Sequence, residues 1–386
     1  MAYNRRLLFQ RLFTSALAGL TAVALGLPAA QGADAVKLGV LLPLTGASAT
    51  GGKRVLVGVE IAVEEINAMG GVLGRPLEVI VEDSESTPKG GMDAVHKLID
   101  VDKVPVVIGE NTSSVTIPTA TYANSKGVVQ IGISATAPAV RKIGPYFFSA
   151  MAPSDVMAKD LVEFAIADSG QKKFGFLTLN DAYGVAMMKE MTAALKAAGG
   201  EVVSEVLYEP KKPDYRAELQ RLFAAKPPAI LSVAWFTASR LLHQQAYELG
   251  LYQTVADTWY SPFVNLAVEP AIPETVEGRK GFITQSESGV RSKAFTEKYK
   301  TKSGEKVETA PVYGLLGYDS VWIAALAINQ AGSLDAKKIQ NTLPTAFGHY
   351  RGISDDDMSV DGDGMQTNQN FSRMVFRDGK LQKYDN

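Results

Sequence analysis

The stretch VKLGVLLPLTGASATGGKRVLVGVEIAVEEINAMGG, residues 36–71, decides the fold class because it contains one buried strand followed directly by one helix. Residues 36–42 are mostly Val and Leu and end at Pro43, which is typical of a strand covered on both faces of a sheet. From Lys53 to Ala68 apolar residues recur every three or four positions, and Gly70-Gly71 ends the pattern, as a helix terminus would. A strand and a helix in this order form the repeating unit of α/β proteins.

The same alternation continues outward from this stretch in two separate runs. Strands predicted at 36–42, 77–81, 104–108 and 128–133 alternate with helices, which predicts a doubly wound parallel sheet. A second run begins after residue 150, with strands predicted at 174–179, 202–207, 230–234 and near Val255. In both runs the helix that follows the opening strand ends in a Gly-Gly pair, Gly70-Gly71 and Gly199-Gly200, which favours two related lobes.

The chain after about residue 281 is too short and too helical to form a third sheet, so we expect it to complete the first two. The fold class predicted is α/β, with two doubly wound parallel-sheet lobes joined by a hinge of three crossings near 148–153, 278–284 and 347–353. Residues 34–150 with 282–348 form the first predicted lobe. Residues 151–281 with 349–386 form the second, and a cleft separates the two.

The first 33 residues have the order of an export signal. Arg5, Arg6 and Arg11 precede an apolar run at 12–27, which small residues follow up to Ala33. The apolar run is shorter than the roughly 20 residues that span a bilayer, so we expect cleavage and a periplasmic location. General secretion is favoured, and a twin-arginine signal is the alternative. The absence of cysteine from the sequence excludes a thioether lipid anchor.

Composition excludes several classes of function. The 386 residues include 39 Lys and Arg against 41 Asp and Glu, without the basic patch that nucleic-acid binding requires. No cysteine is present, so thiolate chemistry and thiolate metal sites are excluded, and the three histidines lack the spacing of a metal motif. No nucleophile-elbow motif occurs. We therefore expect no catalytic residues, no metal and no cofactor, although an exported hydrolase remains a less favoured alternative.

Hydroxyl-bearing loops follow two neighbouring strands of the first lobe. Asn111-Thr112-Ser113-Ser114 follows the strand at 104–108, and Ser134-Ala135-Thr136 follows the strand at 128–133. Loops at the carboxyl ends of parallel strands line one crevice, where helix N-termini present free N–H groups to an anion. These loops predict a cradle for a carboxylate. The alternative is that the hydroxyls only cap helices.

Aromatic residues occupy the corresponding positions of the second lobe. Tyr183 follows the strand at 174–179, Trp235-Phe236 follows the strand at 230–234, and Trp259 follows the strand expected near Val255. An apolar wall facing the cleft is favoured over an ordinary core role. Asp257 either pairs with a ligand ammonium group or is a plain N-cap or surface carboxylate.

The chain resembles the type I periplasmic solute-binding proteins of ABC transporters, in the branched-chain and hydrophobic amino-acid binding family. The resemblance spans essentially the whole mature chain. It is carried by residues 36–46, the helix at 58–71, Val107-Ile108-Gly109 with Ser113-Ser114, Ser134-Ala135-Thr136, Asp181-Ala182-Tyr183-Gly184 and Gly317-Tyr318-Asp319-Ser320-Val321.

The resemblance implies roles for individual residues. Ser113, Ser134, Ala135 and Thr136 would hold the ligand carboxylate, Tyr183 and Phe236 would contact the ligand, and Asp257 would meet its ammonium group. Relatives often place a large side chain from the first loop over the ligand, whereas this chain has Gly51-Gly52. The pocket is therefore expected to be roomier, or closed by Trp235 or Trp259.

The function implied is that of a monomeric receptor of an ABC importer. It would capture a small apolar carboxylate, such as a branched-chain or other hydrophobic amino acid, and deliver it to permease subunits in the inner membrane. If Asp257 lies outside the site, the ligand is an amine-free acid such as an aromatic acid. A ligand sensor that docks to a signalling receptor is a further alternative.

Overall fold

The computed structural model describes residues 34–268, 271–284, 290–307, 310–366 and 368–384. The predicted export signal, residues 1–33, lies outside the described residues. The remainder, from Asp34 to Asn386, forms one compact unit that contains two sheets.

The first sheet has five strands in the order β2-β1-β3-β4-β5, all parallel. On β1, Leu38 and Val40 pack in the same core as Val55 and Val59 of the following helix, while Leu41 packs in a separate cluster on the other face. Burial on both faces explains the continuous apolar run. The strands are β1 (Val36–Leu42), β2 (Leu77–Asp83), β3 (Val106–Gly109), β4 (Val129–Gly132) and β5 (Phe147–Ser149).

The second sheet has the order β12-β11-β10-β9-β8-β6-β7. Its strands β6 to β10 are parallel, and β11 and β12 form an antiparallel hairpin at one edge. The prediction of two parallel-sheet lobes is therefore confirmed. The strands are β6 (Lys173–Leu179), β7 (Glu201–Tyr208), β8 (Ile230–Val233), β9 (Trp259–Pro262), β10 (Lys280–Thr284), β11 (Phe371–Arg377) and β12 (Lys380–Lys383).

Eleven helices in the described part of the chain cover the sheets. They are α1 (Ala49–Ala68), α2 (Pro88–His96), α3 (Ser113–Ser125), α4 (Ser154–Ser169), α5 (Ala182–Ala197), α6 (Arg216–Phe223), α7 (Phe236–Glu248), α8 (Val264–Val268), α9 (Val290–Ser303), α10 (Val312–Ala331) and α11 (Ala336–His349).

The helix α10 is the central helix of the first lobe. It is long and apolar enough to cross a membrane, but 83% of its apolar window is buried inside the protein, as in a core helix. It packs against α1 and α11. Glycines permit the close crossing, since a Cβ added at Gly58 would lie 2.0 Å from the carbonyl oxygen of Gly314. A larger residue at Gly58 would force the two helices apart.

The strand predicted near Val255 is absent, and this prediction was wrong. Residues Tyr252–Thr254 and Ala256–Thr258 form two short 3₁₀ turns, and β9 begins only at Trp259. Tyr252 and Val255 are buried in the core although this segment is not a strand, which explains why it is apolar.

Two segments lie on the other side of the predicted lobe boundaries. Residues 282–284 belong to β10, which pairs with β9 and β11 in the second sheet. The chain then reaches α9 on the first lobe, with residues 285–289 outside the described part. Residues 350–366 lie against the first lobe, because the carbonyl oxygen of Gly364 accepts a 2.8 Å hydrogen bond from the Ser149 amide.

A buried carboxylate holds the start of that last segment. Asp319, on α10, accepts hydrogen bonds from the Tyr350 hydroxyl at 2.6 Å and from the amides of Ile353 at 3.0 Å and Ser354 at 2.8 Å. Burial raises the pKa of Asp319, against the opposing effect of these donors. The chain is next tied to the first crossing, where Gln369 accepts a 3.0 Å hydrogen bond from the Ala152 amide.

Candidate ligand-binding cleft

A cavity of about 610 Å³ lies between the two sheets. Most of its lining residues follow the carboxyl ends of β1, β3 and β4 in the first lobe and of β6, β7, β8 and β9 in the second. Both sheets therefore present the same edge to the cleft, as expected for ligand sites of open parallel sheets.

The two hydroxyl-bearing loops of the first lobe are joined to each other at the cavity wall. The Ser113 Oγ accepts hydrogen bonds from the amides of Thr136 and Ala137, each at 3.2 Å. The Ser134 Oγ donates to the Asn111 carbonyl oxygen at 2.8 Å. Ser113 lies at the start of α3, so the helix N-terminus and both loops form one preorganised concave surface.

The structure brings most of the predicted first-lobe residues together. Ser113, Ser114, Ser134 and Thr136 all line the cavity. Ala135 is fully buried and is not among the lining residues, because its methyl group packs in a small apolar cluster with Ile143. Any contribution of Ala135 to a ligand would come from its backbone.

Several polar atoms at the cavity are buried without a hydrogen-bond partner among the described residues. They are both side-chain polar atoms of Asn111, the Thr136 Oγ1 and the Tyr183 hydroxyl. Buried polar groups are almost always hydrogen-bonded in proteins, because leaving one unpaired costs about 1 to 3 kcal/mol. The residues that carry these atoms line the cleft from both lobes.

A buried carboxylate holds the loop of residues 111–114 in place from the side away from the cavity. Glu110 is fully buried, and it accepts hydrogen bonds from the Ser84 hydroxyl at 2.8 Å and from the Thr112 hydroxyl at 2.9 Å. Burial raises its pKa to about 7, although these donors act in the opposite direction. Glu110 does not line the cavity, so it positions the loop without reaching a ligand.

The second lobe contributes an aromatic wall. The Tyr183 and Trp235 rings are stacked with centroids 5.4 Å apart. The Phe263 ring packs against the same Trp235 ring, with 6.4 Å between the two centroids. Phe236 also lines the cavity. The prediction placed Tyr183, Trp235 and Phe236 at the cleft, and the structure places all three there.

One carboxylate and one ammonium group lie among the described lining residues. Asp181 caps α5, where its Oδ1 accepts a 2.8 Å hydrogen bond from the Gly184 amide, and burial raises its pKa. Lys211 is exposed at the edge of the cavity and contributes a positive charge there.

Asp257 and Trp259 do not lie at the cleft, and both predictions were wrong. Because β9 starts at Trp259, both residues are at the amino end of the strand, opposite the cavity. Trp259 is 1% exposed, and its Nε1 donates to the Ser232 Oγ at 2.8 Å. Phe263 follows the carboxyl end of β9 and occupies the cavity wall in their place.

Tyr313 lines the cavity from the first lobe and was missed by sequence reasoning. It lies near the start of α10, and a Cβ added at Gly51 would lie 3.1 Å from its ring. Tyr313 therefore fills the space where the resemblance would place a large side chain of the first loop. Its only local signal is an aromatic residue shortly after Pro311, which does not indicate a cleft.

Metal ligation has no candidate in the described part of the chain, where no group of three His, Cys, Asp or Glu side chains converges. The lining instead combines hydroxyls, one side-chain amide, aromatic rings, the carboxylate that caps α5 and the ammonium group at the edge. This arrangement suits binding of a small organic anion with an apolar body.

Comparison with known proteins agrees with this geometry. Residues 35–379 match a family model described as "Periplasmic binding protein". The chain is 26% identical over 365 residues to the Leu/Ile/Val-binding protein BraC3 of Rhizobium johnstonii, covering 90% of this chain and 93% of that protein. It is 26% identical over 314 residues to a Leu-, Ile-, Val-, Thr- and Ala-binding protein of Pseudomonas aeruginosa, covering 81% and 82% of the two chains.

Two solved structures have the same fold. A leucine binding protein, LivK, from Thermotoga maritima superposes with a TM-score of 0.78 at 24% identity, covering 91% of this chain and 98% of that chain. A solute binding protein of an ABC transporter from R. palustris, in complex with benzoate, superposes with a TM-score of 0.79 at 21% identity, covering 91% and 95%.

Proposed function

The chain belongs to the periplasmic binding protein family, and from this premise we propose that it is the receptor subunit of an ABC importer for a small apolar carboxylate. It is a substrate-binding protein and not an enzyme. The proposal includes export with removal of residues 1–33, a monomeric receptor in the periplasm, and delivery of the ligand to permease subunits in the inner membrane.

One observation carries the proposal, namely that residues with buried, unpartnered polar atoms line one cavity from both lobes. Thr136 and Asn111 belong to the first lobe and Tyr183 to the second. A ligand that satisfies both sets at once binds the closed arrangement better than an open one, and this difference in affinity is what drives closure.

The carboxylate preference rests on the first lobe. The N-terminus of α3 presents backbone N–H groups and the Ser113 and Ser114 hydroxyls, so an anion is stabilised there without an arginine. Lys211 at the cavity edge adds attraction for anions. The apolar preference rests on the rings of Tyr183, Trp235 and Phe263.

The named ligands of relatives support this class of compound. The Rhizobium johnstonii and Pseudomonas aeruginosa relatives are named for branched-chain amino acids, and the R. palustris structure holds benzoate. All of these ligands join a carboxylate to an apolar body. The position of Asp257 outside the cavity favours amine-free acids as a second candidate within the same class.

The test is a thermal-shift screen of residues 34–386 after unfolding and refolding, which removes any ligand carried through purification. Each acid is paired with its alcohol, for example L-leucine with leucinol and 3-phenylpropionate with 3-phenylpropanol. A ligand at a thousand times its Kd adds about 4 kcal/mol, which raises the unfolding midpoint by about 5 °C for a chain of this size. Acids are expected to raise the midpoint and alcohols to leave it unchanged.

Equal shifts for acids and alcohols would remove the carboxylate from the proposal. Transport is tested separately, by uptake of the labelled ligand in a strain that lacks the gene. Intact uptake in that strain, together with tight binding by the purified protein, would favour a ligand sensor over an importer subunit.

A further inference from the structure

Asn111 has more unmet hydrogen-bonding capacity than any other side chain at the described part of the cavity. Both its Nδ2 and its Oδ1 are buried without a partner, and the residue is 6% exposed. A Cβ added at Gly51 would lie 3.4 Å from the Asn111 Nδ2 and 3.1 Å from the Tyr313 ring, so the amide and the ring lie near each other at one corner of the cavity. The side chain can donate and accept at this corner at the same time.

This corner adjoins the carboxylate cradle. Asn111 is two residues before Ser113 on the same loop, and its carbonyl oxygen accepts the hydrogen bond from Ser134. Thr136, across from Ser113, also has an unpartnered hydroxyl. We therefore expect Asn111 to contact a substituent on the ligand carbon that bears the carboxylate.

The first lobe contributes no carboxylate to the described cavity lining that could balance an ammonium group beside Asn111. Asp181 belongs to the second lobe, where its Oδ1 caps α5, while the oxygens of Glu110 accept hydrogen bonds from Ser84 and Thr112. Asp257 lies at the opposite end of β9. An ammonium group buried beside Asn111 would lose its hydration without gaining a counter-charge, which is unfavourable.

A hydroxyl group fits the corner better than an ammonium group. A hydroxyl donates one hydrogen bond and accepts others, so it pairs with both the Oδ1 and the Nδ2 of the amide and carries no charge to desolvate. An ammonium group only donates, and it leaves the Nδ2 unpaired. An unsubstituted carbon leaves both amide atoms unpaired.

We propose that Asn111 is a specificity-determining residue that hydrogen-bonds an uncharged hydroxyl next to the ligand carboxylate, so that the cleft prefers apolar 2-hydroxy acids to the matching 2-amino acids. The inference rests on the proposed function, since it assumes that the carboxylate lies in the cradle of Ser113 and Thr136.

The experiment is isothermal titration calorimetry of refolded residues 34–386 with two sets of matched acids. One set is 3-phenyllactate, L-phenylalanine and 3-phenylpropionate, and the other is 2-hydroxy-4-methylpentanoate, L-leucine and 4-methylpentanoate. Each hydroxy acid is tested as separate enantiomers. In at least one set, one enantiomer of the hydroxy acid is expected to bind at least tenfold more tightly than both of its partners.

Two substitutions at the same position give different expected results. Asn111→Ala is expected to bring the hydroxy acid to within about threefold of the unsubstituted acid, whose own Kd changes little. Asn111→Asp places a carboxylate at the corner, and it is expected to shift the ratio of the two affinities at least tenfold toward the amino acid. Asn341→Asp, exposed on α11, is the matched control and is expected to change no ratio.

The outcomes separate the two proposals. Equal affinity within each set, or tighter binding of the amino acids to the unaltered chain, overturns the role of Asn111 but leaves a carboxylate receptor. An unchanged hydroxyl preference in Asn111→Ala overturns it as well. If none of the six acids binds, the proposed function itself is contradicted. Unfolding midpoints without ligand show whether each variant is folded. If Asn111→Asp does not fold, the selectivity of the unaltered chain still decides the proposal.

Discussion

The rings of Phe236 and Tyr313 face each other across the cleft, with centroids 6.3 Å apart and planes inclined by 32°. Phe236 begins α7 in the second lobe, and Tyr313 lies near the start of α10 in the first. Their contact joins the lobes directly at the cavity. Aromatic pairs of this geometry contribute about 0.5 to 1.5 kcal/mol beyond the area that they bury.

The first prediction concerns this pair. If the contact stabilises the closed arrangement, a double-mutant cycle of Phe236→Leu and Tyr313→Leu will give a coupling free energy of about 0.5 to 1.5 kcal/mol in ligand binding. Calorimetry on the four proteins measures it. The pair Phe164 and Tyr260, packed inside the second lobe, is the control and should couple in unfolding but not in binding. Additive effects of the Phe236 and Tyr313 substitutions on binding would mean that the contact has no role in closure.

The second prediction concerns the carboxylate cradle. Ser113→Ala and Thr136→Ala should each weaken the binding of acids by about 1 to 3 kcal/mol, because each variant removes a hydroxyl that the ligand desolvates. Ser113→Ala should also lower the unfolding midpoint, since the amides of Thr136 and Ala137 lose their acceptor. Thr121→Ala, exposed on α3, serves as the control. Unchanged affinity in both cradle variants would move the carboxylate elsewhere.

The third prediction uses the three tryptophans. Trp235 lines the cavity, whereas Trp259 is buried in the second lobe and Trp322 lies on α10. Ligand binding should therefore change the fluorescence of Trp235 alone. Trp235→Phe should abolish the change while calorimetry still detects binding, and Trp259→Phe and Trp322→Phe should retain it. A signal that follows Trp259 would contradict the position of β9.

The fourth prediction concerns Asp257. Asp257→Asn should change the Kd of L-phenylalanine and of 3-phenylpropionate by less than about twofold, because the side chain lies at the amino end of β9 and not at the cavity. Calorimetry with both acids provides the measurement. A loss confined to the amino acid would return Asp257 to the site as the ammonium partner.

The fifth prediction concerns Glu110 and pH. Burial raises its pKa from the ordinary value of 4.5 to about 7, so the folded state holds this proton more tightly than the unfolded state. Stability is therefore highest while Glu110 is protonated, and it falls as pH rises from about 4.5 through 7. One pKa unit corresponds to about 1.4 kcal/mol, so the loss over this shift is about 3.5 kcal/mol and is complete above about pH 8.

Glu110→Gln cannot ionise and should lack this loss. The free energy of unfolding by urea, measured at pH 5, 6, 7 and 8, should fall with pH more steeply in the unaltered chain than in Glu110→Gln. Glu274→Gln, at an exposed position, controls for the removal of one charge. If the free energy of unfolding changed with pH equally in the unaltered chain and in Glu110→Gln, ionisation of Glu110 in the folded state would cost little free energy.

The fold could be predicted from the sequence because its central strands have a clear local pattern of apolar residues. Residues such as Leu38 and Leu41 are apolar on both faces of β1, and the following helix repeats its apolar residues at helical spacing. The region before β9 gave no such signal. Tyr252 and Val255 are buried by 3₁₀ turns, and a short apolar segment of this kind does not distinguish a turn from a strand.

The site could be predicted where it depends on a single strand end. Ser113, Thr136, Tyr183 and Phe236 each follow a strand by a few residues, so the topology alone brings them to one edge. The presence of Tyr313 at the cavity and the absence of Asp257 from it are determined by tertiary packing. Tyr313 reaches the cavity only because α10 crosses α1 at a pair of glycines, and that contact joins parts of the chain more than 250 residues apart.

The buried carboxylate of Asp319 has a mechanical consequence. By fixing Tyr350, Ile353 and Ser354 to α10, it makes the beginning of the third connection part of the first lobe's rigid body. Asp355 extends this attachment, because its carboxylate accepts hydrogen bonds from the amide and the side chain of Asn370, the residue before β11. Bending of the third connection during a hinge movement is therefore expected at the start of β11 and not along residues 350–366.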